Sequence, residues 1–234
     1  MNAPGVTSAR PVLGGDGMLC HIDQKDPNNQ IVSFQFGNYY ISRDGGKSFN
    51  VGVSVQGRFV NPSDYDEESK TLYTQTSNAD YARWNIEGNT AVNVDVKNLD
   101  LDVTFVYVDP STTNRIYLGT SNNGLYQIEN AHRGRLVSAK RMGAPSVGSV
   151  SSVNIDPNDP NHILISYSNF GLRNNVYESR NGGNSFVGIE GNLPDMPIRS
   201  VLINPENPHQ AVIGTETGVW FTEKMNGDST IWIP

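Results

Sequence analysis

The chain has 234 residues, 17 Lys and Arg against 24 Asp and Glu, a formal net charge of −7 and an apolar fraction of 36%. An acidic balance offers no basic face to nucleic acid or to an anionic membrane surface, and no apolar run approaches the ~18 residues of a spanning helix. The modest apolar fraction, with 23 Gly, 13 Pro and 27 Asn, points to many short elements joined by many turns.

Residues 1–13 lack the basic start and apolar stretch of a signal peptide and read as a lead-in or the remnant of a preceding repeat. From there the chain divides into five repeats, near 14–55, 56–100, 101–148, 149–196 and 197–234. Each holds an apolar strand, an Asx turn and a second apolar strand: Leu19 to Phe34, Phe59 to Thr74, Phe105 to Gly119, Val153 to Ser166 and Val201 to Gly214. Aligned on the turn acid or amide, the repeats register at Asp23, Asn61, Asp109, Asp156 and Asn204, with spacings of 38, 48, 47 and 48 residues.

In the first repeat, Cys20 lies on the inner strand and reads as a buried, inert thiol, because His21 next to it points to the other face. That repeat ends in the octapeptide Ser42-Arg43-Asp44-Gly45-Gly46-Lys47-Ser48-Phe49. In the second repeat, Asp64-Tyr65-Asp66-Glu67-Glu68 lacks the spacing of an EF-hand and reads as a solvated loop. The fourth repeat carries the octapeptide again, as Ser179-Arg180-Asn181-Gly182-Gly183-Asn184-Ser185-Phe186. Asx followed by Gly tolerates positive φ and closes on its own amides, which predicts a two-residue hairpin turn with the aromatic as a packing plug. Ser42, Asp44, Gly46, Phe49, Ser179, Asn181, Gly183 and Phe186 are therefore read as structural. Ser77 to Trp84 and Thr222 to Trp232 are worn versions of the same segment, and His162 and His209 sit in Asx-Pro turns facing solvent.

A period in the forties with several short strands per unit predicts an all-β propeller of four-stranded blades, five of them in an incomplete ring. In a blade, the turns joining strands one to two and three to four share one face. The second-to-third turns and the inter-blade links share the other, and long loops on a rigid scaffold are where function sits. That second face predicts Asn38, Tyr39, Asn122, Asn123, Phe170, Arg173 and Glu216 as ligand contacts.

The octapeptides resemble Asp boxes, or BNR repeats, of sialidases, family 74 glycoside hydrolases and sortilin-like propellers. Gly14-Gly15-Asp16-Gly17-Met18, the run Gly191 to Arg199, and Gly214-Thr215-Glu216-Thr217-Gly218-Val219-Trp220 resemble secreted Asp-box propeller proteins of Bacteroidetes-like bacteria. The resemblance covers roughly residues 14–234. It implies an extracellular or cell-surface parent protein, of which this chain is an internal piece, with the parent's remaining blades as neighbours. It implies no activity. The Arg-Ile-Pro motif of sialidases is absent, Arg115-Ile116-Tyr117 being no substitute, and neither Asp-bearing Gly-Gly segment of the family 74 hydrolases is present.

Asp16 and Asp102 each lie seven residues before a turn acid. Three readings stand for them: a turn cap and a solvated acid, oxygen ligands of a shared Ca²⁺, or a general acid and base across a sugar groove. The expectation is a propeller module that binds a glycan or protein through its loop face. A fragment of a polysaccharide-active glycoside hydrolase and a structural spacer are the alternatives.

Overall fold

The computed structural model describes residues 11–99, 102–121, 124–145, 148–171 and 174–234. Blade one is β1 (His21–Ile22), β2 (Gln30–Phe34), β3 (Asn38–Ser42) and β4 (Val51–Ser54). Blade two is β5 (Ser63–Asp66), β6 (Thr71–Thr76), β7 (Ala79–Asn85) and β8 (Thr90–Lys97). Blade three holds β9 (Val103–Val108), β10 (Ile116–Thr120) and β11 (Leu125–Ile128), then β12 (Leu136–Ser138) and β13 (Lys140–Arg141). Blade four is β14 (Val150–Asp156), β15 (Asp159–Tyr167), β16 (Val176–Ser179) and β17 (Val187–Gly188). Blade five is β18 (Ile198–Ile203), β19 (Ala211–Thr215) and β20 (Gly218–Thr222), and Ile233 bridges Phe221 along its outer edge.

Each blade is an antiparallel meander in chain order, with one exception at its edge. Strand β12 leaves blade three and pairs in parallel with β8, so that blade three straps the outer edge of blade two. The second strands are sandwiched between neighbouring blades: β6 and β10 are buried along their whole length. A strand buried on both faces has no polar side to alternate with. The outer strands β4, β13 and β17 are short and largely exposed, whereas the longer β8 buries Val94 and Val96.

Four apolar clusters fill the four junctions between consecutive blades. Ile31, Ile41, Leu72 and Trp84 join blades one and two, and Tyr73, Tyr81, Val106 and Leu118 join two and three. Tyr117, Leu125, Ile163 and Ile165 join three and four, and Leu164, Val201, Ile213 and Trp232 join four and five. Among the described residues no cluster joins blade five to blade one, so the five blades form an open arc.

The turn acid of the second repeat is Asp66, not Asn61. Its Oδ1 accepts the amides of Glu68 (2.9 Å) and Ser69 (3.0 Å), as Asp23 accepts those of Lys25 and Asp26, both at 3.0 Å. Asp109, Asp156 and Asn204 make the equivalent bond to Ser111, Asn158 and Glu206. With Asp66 the spacings become 43, 43, 47 and 48 residues. The apolar Phe59-Val60 pair imitates a strand but belongs to an exposed inter-blade link. The acidic run is likewise not a solvated loop as a whole, since Tyr65 and Asp66 are buried.

The residue two before each turn acid ties its blade to the next. Asp64 Oδ2 accepts the Val108 amide (2.7 Å), the Tyr107 hydroxyl accepts that of Ile155 (3.3 Å), and Asn154 Oδ1 accepts that of Ile203 (2.8 Å). At the same position in blade one, His21 Nε2 lies 3.0 Å from Ser63 Oγ of blade two. In blade five the position is Leu202, which is exposed.

The octapeptides occupy equivalent turns, after β3 and after β16. Ser42 Oγ accepts the Gly46 amide (2.8 Å), and Asp44 Oδ1 accepts those of Lys47 (3.0 Å) and Ser48 (2.9 Å). Ser179 Oγ accepts the Gly183 amide (2.9 Å) and Asn181 Oδ1 that of Ser185 (3.0 Å). Gly46 and Gly183 have φ of 82° and 73°, and a Cβ there would meet Gln30 and Met142 within 2.6 Å. The turn is a loop of several residues closed by side chains, not a two-residue hairpin. Phe186 packs on the core between blades three and four, whereas Phe49 is half-buried and joins no core cluster.

Three further expectations are corrected. Cys20 is exposed, because β1 begins only at His21. His162 lies in β15, fully buried between Asp156 (3.6 Å) and Glu178 (3.0 Å). Ser77 to Trp84 is the second-to-third turn and β7, and the octapeptide's place in blade two is taken by Asn85 to Thr90, where Asn85 Oδ1 accepts the Gly88 amide (2.8 Å).

Candidate functional site

The sequence-derived ligand residues do not converge. Tyr39 is fully buried in the junction between blades one and two, its hydroxyl bonded to Thr74 Oγ1 (2.6 Å) and to Asn61 Nδ2 (3.1 Å). It holds blades together and is not a loop contact. Asn38 closes its own turn by donating to the Gln35 carbonyl (2.7 Å). Phe170 is highly exposed on the loop face of blade four. Glu216 pairs with Arg199, which also contacts Ser168 across the fourth and fifth blades. Asn122, Asn123 and Arg173 lie outside the described residues.

Asp16 and Asp102 hold equivalent positions, before the Gly17 bridge to Phe34 and before β9. Asp102 Oδ2 is paired with Arg58 Nη2 at 3.0 Å, while the Asp16 amide donates to Gln35 Oε1 at 3.0 Å. No hydrogen bond or ion pair links the two carboxylates. Among the described residues, no three His, Cys, Asp or Glu side chains converge to hold a metal ion.

What does converge lies between blades two and three, beside the link from blade one. A cleft of about 500 Å³ is lined by Arg58, Gln75, Ser77, Asp80, Leu99 and Asp102. The link into β5, the end of β6, the start of β7 and the link into β9 supply these residues, so it opens on the loop face. Gln75 Oε1 accepts the Arg58 amide (3.2 Å), and Asp80 Oδ2 accepts the Val96 amide (2.6 Å). Arg58 stands between this cleft and a pair of phenyl rings. Phe36 and Phe59 meet edge to face, with centroids 5.4 Å apart, and are 53% and 50% exposed.

The backbone fixes both rings. The Phe36 amide donates to the Phe59 carbonyl (3.2 Å), and the Phe36 carbonyl accepts the Gly57 amide (3.0 Å). Phe36 has φ of 66°, a left-handed conformation that is strained for a bulky side chain. Gly37 follows at φ 70°, and a Cβ there would lie 2.7 Å from Val55 and 3.0 Å from the Gly57 amide nitrogen. An exposed aromatic in a Gln-Phe-Gly-Asn turn was the available signal for Phe36. The signal for Phe59 was masked by its likeness to a strand residue.

The five-sheet arc has counterparts among solved structures. The fold is that of a β-propeller. The family 74 xyloglucanase of Xanthomonas campestris superposes with a TM-score of 0.67 at 15% identity, covering 88% of this chain and 36% of that one. The WD40 propeller domain of Doa1 superposes with a TM-score of 0.66 at 11% identity, covering 94% of this chain and 69% of that domain. The chain thus spans about a third of the xyloglucanase. No protein-family model and no curated protein sequence matches it. At these identities the likeness carries the fold and not the chemistry.

Proposed function

We propose that this propeller arc is a glycan-binding module that works outside the cell or at its surface, reading sugars on the loop face of blades one to three. The carrying observation is the pair of exposed phenyl rings, fixed in a strained turn beside a polar cleft. Sugar rings present C–H faces that pack on aromatic faces, and their hydroxyls need a few well-placed donors and acceptors. Phe36 and Phe59 supply the first, and Arg58, Gln75, Ser77 and Asp102 the second. A protein ligand would engage a much larger surface than one cleft and two rings supply.

Affinity electrophoresis against neutral β-linked glucan, xylan and mannan tests this reading. Phe36→Ala and Phe59→Ala should each retain the wild-type melting midpoint and lose on the order of tenfold in retardation by the glycan that binds, equivalent to about 1.4 kcal/mol. Undiminished binding by both variants would overturn it.

One observation favours the hydrolase reading: Asp80 and Asp102 line the same cleft. A general acid must carry its proton to the leaving oxygen. Here one carboxylate is held by Arg58 and the other by a backbone amide. Release of reducing ends from the same glycans, abolished by Asp102→Asn, would favour hydrolysis over binding.

A further inference from the structure

We infer that a second cavity between blades two and three, on the face of the first-to-second turns, binds a small oxyanion, with Arg83 as its counter-charge and His132 Nδ1–H as a donor to it. This site lies on the opposite face from the glycan cleft and does not depend on it.

Strand pairing builds one wall. Thr71, Asn85 and Thr90 are successive cross-strand partners, and Tyr73, Arg83 and Val92 form the next row. Cross-strand partners share a face of the sheet, and Tyr73 and Val92 pack that face into the core between blades two and three. The two rows are thus the polar end of an internal junction, where hydroxyls, an amide and a guanidinium take over from apolar packing. Blade three closes the other side with Asn114 of the β9–β10 turn and His132 of the segment after β11. The enclosed volume is about 270 Å³. That falls just under the ~300–1,000 Å³ of sites for drug-sized ligands, so the occupant is small.

Charge selects an anion. Arg58, Arg115, Arg180 and Arg199 each pair with a carboxylate. Arg83 has no carboxylate partner among the described residues; its Nη1 donates to the carbonyls of Gly134 (2.8 Å) and Ala131 (3.5 Å). In a chain of net charge −7, no carboxylate lines this cavity. Asp66 begins the same row as Thr71, but the backbone takes up its oxygens: Oδ2 accepts the Asn114 amide (2.7 Å) and Oδ1 those of Glu68 and Ser69. A half-buried guanidinium gains from an oxyanion, whose paired oxygens match its fork of donors.

Hydrogen bonding points the same way. His132 Nε2 accepts from Arg133 Nε (2.9 Å), which puts the proton of the neutral ring on Nδ1. Burial, with the charges of Arg133 and Arg83, holds the ring below the usual histidine range, so it is neutral at pH 7. Nδ1 is buried and has no hydrogen-bond partner, and neither has Ser69 Oγ on the blade-two side. An unpaired buried donor is costly, and one oxyanion between Arg83 and His132 satisfies the donor and the charge together. Water would pair the donor and leave the charge.

Isothermal titration at pH 7 tests this with sodium sulfate, sodium phosphate and sodium glucuronate, ionic strength being held with sodium chloride. At least one of the three should bind saturably, at one site per chain. Saturation separates a site from the general salting effect of sulfate and phosphate. Sulfate or phosphate without glucuronate assigns a tetrahedral anion, and glucuronate alone assigns a carboxylate. Arg83→Gln and His132→Phe should each weaken binding by about tenfold. Arg83 also holds Gly134, so if Arg83→Gln fails to fold, His132→Phe and Ser69→Ala carry the test. No saturable binding of any of the three anions, or undiminished binding by the folded variants, would overturn the proposal.

Discussion

A serine hydroxyl closes each octapeptide loop, accepting an amide from four residues ahead while the Asx side chain accepts from the residues after it. Ser179 is buried, so Ser179→Ala leaves the Gly183 amide without its acceptor; in urea unfolding this should cost about 1–3 kcal/mol. Asp44 and Asn181 do the same geometric work with different chemistry. The hydroxyls of Ser42 and Ser48 hold the Asp44 carboxyl well below the usual range, so its contribution is present above pH ~4 and lost in stronger acid. The Asn181 loop has no such dependence. Burial lowers His21, at the first junction, from 6.5 to about 4, and raises Asp64, at the second, from 3.8 to about 6. The His21 contribution is present above 6.5 and lost as pH falls through 4. The Asp64 contribution is present below 3.8 and lost as pH rises through 6, so the two oppose each other in one window. Asp64→Asn should expose the histidine: its stability should fall more steeply than wild type between pH 7 and pH 4, by up to ~3 kcal/mol. Equal slopes in urea titrations would contradict the assignment. The octapeptide residues were legible in the sequence because their bonds are local. Tyr39 was not, because only the packing of blade two decides which way a strand residue at a turn edge points.

At the scale of the blade, strand and turn order followed from the sequence wherever the turn acid was followed by Pro, as at Asp109, Asp156 and Asn204. Blade two lacks that signal: Asp66 is followed by Glu67, while Asn61-Pro62 offers a false one. Phe59, half of the phenyl pair, was missed for the same reason, since it stands on the link that was read as a strand. The parallel strand β12 has no local signature at all, as its partner β8 lies about forty residues back. Blade five completes its outer edge through the Phe221–Ile233 bridge, and Trp232 anchors that segment with its indole buried and Nε1 donating to the Ile189 carbonyl (2.8 Å). Trp232→Ala should destabilise the protein by about 3–5 kcal/mol, measured by urea unfolding. Phe49→Ala, at a half-buried position outside the cores, should cost clearly less.

At the scale of the whole molecule, an arc of blades is a one-dimensional array in which each unit is stabilised by its neighbours. Blades two, three and four each have two junctions and blades one and five have one. Amide exchange should therefore be slowest in β6, β10 and β15, with the end blades opening first; equal protection across all five would show instead a single cooperative unit. The three tryptophans divide along the same line. Trp84 sits in the core between blades one and two, while Trp220 and Trp232 belong to the core between four and five. The two central cores hold none. Indole emission therefore watches both ends of the arc and is blind to its middle, so the fluorescence of this protein should shift to the red while most of its strand dichroism is still intact.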